Sequence, residues 1–336
     1  MLIQADLDHF GEACGSEVAV ESTLGRPNRE DFCKDHRTCV EALLDIEYIG
    51  AVAHPIPLTV YYQSAYSLLE WVENILDLES PPLVHSASYG NDEVDQISPE
   101  YMDECNAQFQ LAGTRGLSIL FASGDQGVWG RNGIGETFHP DFPSSSPYIT
   151  SIGGTVFKSM STIGEESVWT CGGGGFSDHF PMPDWQTEVV TEYLNKAEKQ
   201  DVLPPQTYYN STGRAYPDIS ALAGYWNPYC VTYHGGKDFI EVSGTSASTP
   251  VIAGIIAQLN DQKLSNGDSP LGWLNPWLYS SASGCFNDVD DNSVNYCYGS
   301  AEVQTPGFAA LSGWDPATGF GTPIFSCLMD VVKKGK

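Results

Sequence analysis

The sequence from 243 to 256 reads Ser243-Gly244-Thr245-Ser246-Ala247-Ser248-Thr249-Pro250-Val251-Ile252-Ala253-Gly254-Ile255-Ile256. A polar turn of glycine and small hydroxyl residues runs directly into an apolar segment, which predicts a helix with Pro250 in its first turn. Ser246 would then lie near the helix N-terminus, where backbone N–H groups and the helix dipole favour negative charge. A serine there is well placed to attack a carbonyl carbon, because the oxyanion would form beside the helix. The alternative is a serine- and threonine-rich helix cap without catalytic function.

Strand-like apolar runs alternate with helical patterns along the rest of the chain. The predicted helices span 38–49, 65–76, 99–113 and 248–264, and the predicted strands span 58–62, 83–89, 118–122, 148–152 and 239–242. Such alternation is typical of an α/β fold with a parallel sheet and crossover helices. We expect 171–206 to be mostly surface loop and 285–321 to be a loop-like acidic tail, with a last short helix after Pro323.

The balance of charges excludes several classes of ligand. The 336 residues include 43 acidic and 15 basic side chains, giving a formal net charge of −28. Nucleic acids and anionic lipid surfaces bind basic residues, so neither is an expected partner. No apolar run reaches the roughly 18 residues that a membrane-spanning helix needs. Many of these carboxyl groups would be neutral in acid, which favours an acidic compartment.

The nine cysteines contain no C-x-x-C spacing, which disfavours zinc ribbons and thioredoxin-type redox pairs. Cys33 and Cys39 are close enough in sequence to be bridged, and so are Cys285 and Cys297. Because nine is an odd number, at least one thiol must lack a partner within the chain. Asn210 begins a glycosylation sequon, Asn-Ser-Thr, which favours the secretory route.

A nucleophilic serine needs a general base, and none of the seven histidines lies in a His-Gly-Thr context. With a pKa of ~6.5, histidine is almost fully protonated in acid, whereas a carboxylate keeps a useful deprotonated fraction. Glu41 and Asp45 are four residues apart, so a helix would place both on one face. Two close carboxyl groups can share a proton, which leaves one of them able to act as a base in acid. The alternative is an acidic, solvated helix face.

A third acid, Asp125, directly follows the apolar run 118–122 within Ser-Gly-Asp-Gln-Gly. Ligands of α/β sheets bind at the carboxyl ends of the strands. A protonated Asp125 there could donate a hydrogen bond to a forming oxyanion. The alternative is ordinary punctuation between a strand and a loop.

Together these motifs resemble the sedolisin family, the serine-carboxyl peptidases, and look most like its lysosomal tripeptidyl peptidase branch. The matching segments run in family order over nearly the whole chain from about residue 38: Glu-Ala-Leu-Leu-Asp at 41–45, Ser-Ala-Ser-Tyr-Gly at 86–90, Phe-Ala-Ser-Gly-Asp at 121–125, Phe-Pro-Ser-Ser-Ser-Pro-Tyr at 142–148, Gly-Gly-Gly-Gly-Phe-Ser at 172–177, Gly-Arg-Ala-Tyr-Pro-Asp at 213–218, Gly-Thr-Ser-Ala-Ser-Thr-Pro at 244–250 and Gly-Trp-Asp-Pro-Ala-Thr-Gly at 313–319.

The resemblance implies a subtilisin-like three-layer α/β fold with a mostly parallel central sheet. It implies that Ser246 is the nucleophile, Glu41 its general base and acid, Asp45 the residue that orients Glu41, and Asp125 the oxyanion-hole donor. It further implies that Ser88-Tyr89-Gly90 is an edge strand that pairs with the extended substrate. One Ca²⁺ ion would be held by the side chains of Asp288 and Asp315 and by the backbone carbonyl groups of Val289, Leu311 and Gly313, and oxygen-only ligation suits calcium.

For the whole chain, the resemblance implies a single peptidase domain, 1–336, without the signal and propeptide with which family members are made. The expected activity is cleavage of peptides or unfolded proteins at acidic pH, releasing tripeptides from free N-termini, in a lysosome or similar compartment or after secretion. The expected partners are these substrates and the chain's own propeptide. An endopeptidase with the same residues, an inactive binding homologue and a calcium-dependent structural protein are the alternatives.

Overall fold

The computed structural model describes residues 3–27, 33, 39–63, 65–160, 162–298 and 306–334. Its helices are α1 (Gln4–Cys14), α2 (Val40–Ala53), α3 (Leu68–Leu76), α4 (Pro99–Thr114), α5 (Thr187–Gln200), α6 (Thr245–Ser265), α7 (Asn275–Leu278) and α8 (Phe325–Lys334). None of the helices in these ranges is long and apolar enough to cross a membrane.

Local sequence explains where two of these helices begin. The hydroxyl of Ser67 accepts a hydrogen bond from the backbone N–H of Glu70 at 3.2 Å and caps α3. Ser98 caps α4 in the same way through the N–H of Tyr101 at 3.2 Å, and Pro99 occupies the first helical turn, where no N–H donor is needed.

The strands are β1 (Val20–Gly25), β2 (Leu58–Tyr62), β3 (Val84–Ala87), β4 (Asn91–Asp92), β5 (Ser118–Ala122), β6 (Asp141–Phe142), β7 (Thr150–Ser159), β8 (Thr162–Val168), β9 (Gly175–Pro181), β10 (Gly213–Tyr216), β11 (Ile219–Leu222), β12 (Tyr229–Tyr233), β13 (Asp238–Val242), β14 (Phe286–Asn287) and β15 (Thr322–Pro323). The central sheet has the order β11-β7-β5-β3, with all neighbouring strands parallel, and β8 pairs antiparallel with β7. The expected mostly parallel sheet is therefore confirmed.

Strand β5 shows why the sheet is covered on both faces. Its side chains alternate: Ile119 and Phe121 pack into a core with α3 and α4, whereas Leu120 packs into the core that includes Ile252 and Ile256 of α6. An apolar run without polar alternation is what a strand buried on both faces requires. The three layers of helix, sheet and helix expected from the sequence follow from this burial.

The structure differs from three expectations about elements. The segment 171–206 is not mostly loop, because it contains β9 and the amphipathic helix α5, whose residues Val190, Tyr193 and Ala197 are buried. The run 239–242 is a strand, but it belongs to an antiparallel hairpin of β12 and β13 outside the central sheet. Helix α6 begins at Thr245, so Pro250 lies in its second turn rather than its first. Because glycine and proline residues lie at both ends of 171–206, the sequence predicted a loop there instead of these two elements.

Three disulfides join parts of the described chain: Cys33–Cys39, Cys171–Cys297 and Cys285–Cys327. The first was expected from sequence proximity. The expected Cys285–Cys297 bridge is wrong, because the fold brings each of these cysteines to a partner distant in sequence. Cys14, Cys105 and Cys230 are free thiols, in agreement with the odd number of cysteines.

Glu47 of α2 is a fully buried acid whose environment makes stability depend on pH. Its carboxyl group accepts hydrogen bonds from the hydroxyl and the backbone N–H of Thr232, and burial raises its pKa to about 8. Because the folded state binds this proton more tightly than the unfolded state does, stability is full below the unfolded pKa and falls as pH rises toward 8.

We expect the free energy of unfolding to fall by a few kcal/mol between acidic and slightly alkaline pH. Glu47→Gln should remove the part of this fall that Glu47 contributes, since glutamine does not titrate, while the other buried acids keep their contributions. Urea unfolding at several pH values measures it, with Glu73→Gln, at an exposed site on α3, as the matched control. Equal pH dependence in the Glu47→Gln variant and in the unmodified protein would contradict the prediction.

Candidate active site

Ser246 lies in the first turn of α6 and follows the cap residue Gly244 in the sequence. Pro250 has no N–H, so the carbonyl oxygen of Ser246, four residues earlier, receives no helical hydrogen bond. The hydroxyl oxygen of Ser88 lies 3.3 Å from that oxygen. The nucleophile candidate is thus held at a helix N-terminus, and a residue from the end of β3 contacts its backbone.

Glu41 and Asp45 lie one turn apart on α2, which packs against α6. Burial raises the pKa of Glu41, the hydroxyl of Ser246 opposes that rise through a hydrogen bond, and the charge of Asp125 adds to it. Oε1 of Glu41 is buried and has no hydrogen-bond partner among the described residues. The structure therefore brings Glu41, Ser246 and Asp125 together across elements far apart in sequence.

Asp45 occupies the inner position of the acidic pair. Burial raises its pKa well above the usual value, the charge of Glu41 raises it further, and the hydroxyl of Ser88 opposes this by donating to Oδ1 at 2.6 Å. Two adjacent carboxyl groups in a partly buried position cannot both ionise easily, so they titrate as a pair that holds one proton over a wide pH range.

Asp125 follows β5 and is held by Thr245. Its Oδ1 accepts hydrogen bonds from the backbone N–H of Thr245 at 2.8 Å and from its hydroxyl at 2.7 Å. A Cβ atom on Gly244 would lie 2.9 Å from Oδ2, so the glycine lets this carboxyl group approach the start of α6. Burial raises the pKa of Asp125, and the hydrogen bonds from Thr245 oppose that rise. A proton on this acid would therefore reside on Oδ2, beside the N-terminus of α6.

Some residues that position the site were missed by the sequence analysis. Thr245 was seen only as part of the helix cap, and Ser88 only as part of a substrate strand. The disulfide Cys171–Cys297 lies beside the Asp125 loop: the N–H of Gly127 donates to the carbonyl of Cys171 at 2.9 Å, and Sγ of Cys297 lies 3.8 Å from the carbonyl of Asp125. No local sequence signal identifies these contacts.

Ser88-Tyr89-Gly90 continues directly from β3, the outermost strand of the parallel order. The strand itself ends at Ala87, two residues before the predicted end at position 89, so the segment is an extension of the edge and not part of the hydrogen-bonded strand. Tyr89 is 53% exposed. The backbone of this segment borders the site through Ser88.

The predicted calcium ligands gather in the loops between β14 and β15. Asp315 is fully buried, with Oδ1 accepting the N–H groups of Ala317 and Thr318 and Oδ2 that of Leu311. Oδ2 of Asp288 accepts the N–H of Gly313 at 2.7 Å. Burial raises the pKa of Asp315 well above its usual value, and the nearby charge of Asp288 raises it further.

This set suits a hard cation that takes oxygen ligands. Two acids face one another, and among the hydrogen bonds of the described residues none is donated to the carbonyl of Val289, Leu311 or Gly313. Within the same ranges, no group of three His, Cys, Asp or Glu residues is arranged around one point, so carbonyl oxygens would have to supply much of the ligation.

Asn210 is half-buried, and its side chain is already hydrogen-bonded. Nδ2 donates to the carbonyl of Ser177 at 3.1 Å, and Oδ1 accepts from the hydroxyl of Thr212 at 2.7 Å. A glycan attached to Nδ2 would take one of that nitrogen's two protons. Glycosylation at this position stays a prediction.

The fold and the arrangement around Ser246 together define the class as serine peptidases of subtilisin-like fold. The chain belongs to the subtilase family, whose sequence model matches residues 57–299. That match includes Asp125 and Ser246 but not Glu41 and Asp45.

Similarity to individual relatives confirms the resemblance to the sedolisin family. Tripeptidyl-peptidase 1 of Rattus norvegicus is 40% identical over 331 residues, which are 95% of this chain and 55% of the relative. Tripeptidyl-peptidase 1 of Homo sapiens is 38% identical over 328 residues, with the same two coverages. This chain therefore spans about half the length of the curated relatives it matches.

Solved structures support the fold. Pseudomonas sedolisin, a serine-carboxyl proteinase in complex with pseudo-iodotyrostatin, superimposes with a TM-score of 0.75 at 24% identity, over 99% of this chain and 89% of that one. A lanthipeptide protease superimposes with a TM-score of 0.58 at 14% identity, over 97% of this chain and 84% of that one. The subtilisin-like fold expected from the sequence is confirmed.

Proposed function

We propose that this chain is an acid-acting serine-carboxyl peptidase that forms an acyl-enzyme on Ser246. The observation that carries the proposal is the position of Ser246, at a helix N-terminus with its hydroxyl toward Glu41 and with Asp125 close enough for its charge to affect Glu41. Nucleophile, base and oxyanion donor are the three components that acyl transfer requires.

In the first half of the proposed reaction, the carboxylate of Glu41 takes the proton of Ser246 as Oγ attacks the carbonyl carbon of the substrate. The carbonyl π bond opens, and the resulting oxyanion accepts a hydrogen bond from protonated Asp125. Glu41 then transfers its proton to the leaving amine, and the C–N bond breaks to leave an ester on Ser246. Water completes the cycle by the same route, with Glu41 as base for its attack and Ser246 as the leaving group.

Asp45 acts in this proposal through Glu41. The hydroxyl of Ser88 donates to Asp45 at 2.6 Å and so orients it, and the proton shared by the two acids keeps Glu41 available as a base in acid. Ser88-Tyr89-Gly90 would pair with the extended substrate main chain, as a peptide does when it adds to a sheet edge.

We further propose that the substrate is a peptide or unfolded protein with a free N-terminus, from which tripeptides are released within one domain, 1–336. Similarity to tripeptidyl-peptidase 1 over 95% of this chain supports the tripeptide unit. The acidic composition and the proton-dependent stability at Glu47 support action in a lysosome or similar acidic compartment, or after secretion into acid. A propeptide that covers the site before activation is part of this proposal by family analogy.

A pH–rate profile on a tripeptidyl amide, beside its N-acetylated analogue, tests the activity. We expect an optimum in acid, because Glu41 must be deprotonated and Asp125 protonated, and we expect acetylation to lower kcat/KM at least ~100-fold for an exopeptidase, which must bind the free amine. An optimum near neutrality would contradict the carboxylate mechanism. Efficient cleavage of blocked peptides at internal bonds would instead identify an endopeptidase.

One Ca²⁺ ion, held by Asp288 and Asp315 with the carbonyls of Val289, Leu311 and Gly313, is proposed as a structural cofactor. The ion would neutralise two facing acids and join the loops that precede β15. We expect chelation to lower Tm by several degrees and added calcium to restore it. Differential scanning fluorimetry measures this, with metal analysis of the purified protein as the control. An unchanged Tm together with no bound calcium would count against the site.

A further inference from the structure

Cys14 and Cys230 are two free thiols to which no role has been given so far. Six of the nine cysteines form the three disulfides, and Cys105, the third free thiol, is fully buried, whereas Cys14 and Cys230 are both exposed. Disulfides form in oxidising environments, where exposed thiols that lie close to one another are oxidised as well. The positions of Cys14 and Cys230 in the fold therefore determine whether they stay free.

Cys14 lies on the face of α1 that packs against the rest of the protein. Leu7, Phe10 and Cys14 follow the i, i+3, i+7 spacing of one helix face, and Leu7 and Phe10 are buried. The ring of Phe10 contacts that of Tyr48 on α2 edge-on, with 5.3 Å between the ring centroids. Cys14 is the last residue of α1, one helical turn after Phe10, so it lies at the border of this packed face.

Cys230 lies on the face of β12 that is turned toward α1. Side chains two residues apart in a strand point to the same side, so Cys230 shares its face with Thr232. The hydroxyl of Thr232 donates to the carbonyl oxygen of Asp6 in α1 at 2.6 Å. The N–H of Gly236, which follows β12, donates to Oδ1 of Asp6 at 2.6 Å. The later end of β12 is thus at the start of α1, and Cys230, near the earlier end, lies toward Cys14.

Tyr48 connects the two positions. Its hydroxyl donates to the carbonyl oxygen of Cys230 and accepts the N–H of Cys230, both at 3.1 Å, while its ring contacts Phe10. Burial raises the pKa of Tyr48, and the charges that Cys14 and Cys230 carry as thiolates raise it further. Burial also raises the pKa of Cys14, and the charges of Glu47 and Cys230 add to that rise. The two thiols therefore lie beside the same phenol and interact with each other.

We propose that Cys14 and Cys230 form a fourth disulfide, which joins α1 to the hairpin of β12 and β13. Because Cys14 ends its helix, it can approach Cys230 without displacing the buried side chains of Leu7 and Phe10. Strand β13 ends at Val242, shortly before α6 begins, so the bridge holds the hairpin that leads to α6. This inference needs no substrate and no catalytic residue, and it stands independently of the proposed function.

The oxidant is a small disulfide of the glutathione class. The thiolate of one cysteine attacks a sulfur of oxidised glutathione, whose S–S bond breaks to leave a mixed disulfide and one glutathione. The second thiolate then attacks the protein sulfur of that mixed disulfide, the bond between Cys14 and Cys230 forms, and a second glutathione leaves. Two electrons pass from the protein to the oxidant, and the two thiol protons end on the two glutathione molecules.

The experiment incubates the purified full chain with oxidised glutathione at a pH of about 8, where thiolates form, and then alkylates the remaining thiols in denaturant. Mass spectrometry should find one alkylated thiol, Cys105, instead of three, and a digest made without reduction should contain a peptide that links Cys14 to Cys230. Cys105→Ala is the matched control and should form the same linked peptide. In Cys14→Ser, Cys230 should remain a thiol or carry glutathione.

Thermal unfolding of the oxidised proteins measures the effect of the bridge. A link between positions so distant in sequence should raise Tm by about 5 °C relative to Cys14→Ser. Cys14→Ser, Cys230→Ser and the double variant should unfold at the same temperature, because either substitution removes the whole bridge. Differential scanning fluorimetry provides the comparison.

Four results would overturn the inference. The oxidised protein could retain three alkylated thiols, or it could carry glutathione on Cys14 and Cys230 without a linked peptide. A linked peptide found only in a covalent dimer, on a gel without reducing agent, would show that the thiols react between molecules. Additive effects of the two serine substitutions on Tm would contradict a bridge that both cysteines share.

Discussion

Ser246→Ala is expected to lower kcat for peptide hydrolysis in acid by about 10⁴–10⁶-fold, since loss of the nucleophile leaves only binding and the oxyanion hole. The fold should tolerate the change. The cap residue of α6 is Gly244, so Ser246 is not the capping residue, and alanine is a better helix former than serine. Activity assays at the pH optimum and the Tm of both proteins measure the two effects.

Ser243→Ala is the matched control for this prediction. Ser243 lies three residues earlier, outside the helix, where its hydroxyl accepts the N–H of Tyr225 at 2.7 Å. We expect it to keep activity and to lose about 1 kcal/mol of stability at most. A serine-reactive phosphonate should label the unmodified protein and the control but not Ser246→Ala. Acid peptidase activity that persists in pure Ser246→Ala would refute the assigned nucleophile.

The sequence alone predicted the features of the site that depend on local periodicity. Glu41 and Asp45 share a face because a helix brings positions four apart together, and α2 contains both. Asp125 lies at the carboxyl end of a strand because the run before it is apolar without alternation, and β5 has the predicted bounds. The helix after Ser246 followed from the polar-to-apolar change, although it begins three residues earlier than predicted.

Contacts between distant segments could not be predicted in this way. Thr245 holds Asp125 across 120 residues and Ser88 holds Asp45 across 43, and neither threonine nor serine carries a local signal for such a partner. The disulfides show the same limit: proximity in sequence found Cys33–Cys39 but misassigned Cys285, whose partner is Cys327.

Substitutions at Asp125 can distinguish the effect of its proton from the effect of a hydrogen-bond donor at its position. Thr245 donates twice to Oδ1, so in an Asp125→Asn variant the amide oxygen should occupy that position and Nδ2 should take the place of Oδ2. The asparagine would then donate to the oxyanion from the same point, but it would not titrate. Asp125→Ala would remove the donor altogether. The two variants thus distinguish an acid that must be protonated from a donor that must only be present.

Asp125→Ala should lower kcat about 10²–10³-fold at every pH, because a preorganised oxyanion donor is lost. In the unmodified protein, rising pH deprotonates Asp125, which removes the donor and places a negative charge beside the forming oxyanion. Because burial raises the pKa of this acid, the loss of activity should begin at a pH above the usual pKa range of an aspartate. Asp125→Asn should therefore retain more activity than Asp125→Ala. The alkaline limb of its kcat/KM profile should move to higher pH, while the acid limb, which the Glu41–Asp45 pair sets, should remain at the same pH. An alkaline limb at the same pH in the asparagine variant and the unmodified protein would show that another group controls it, and Asp125 would lose its assigned role.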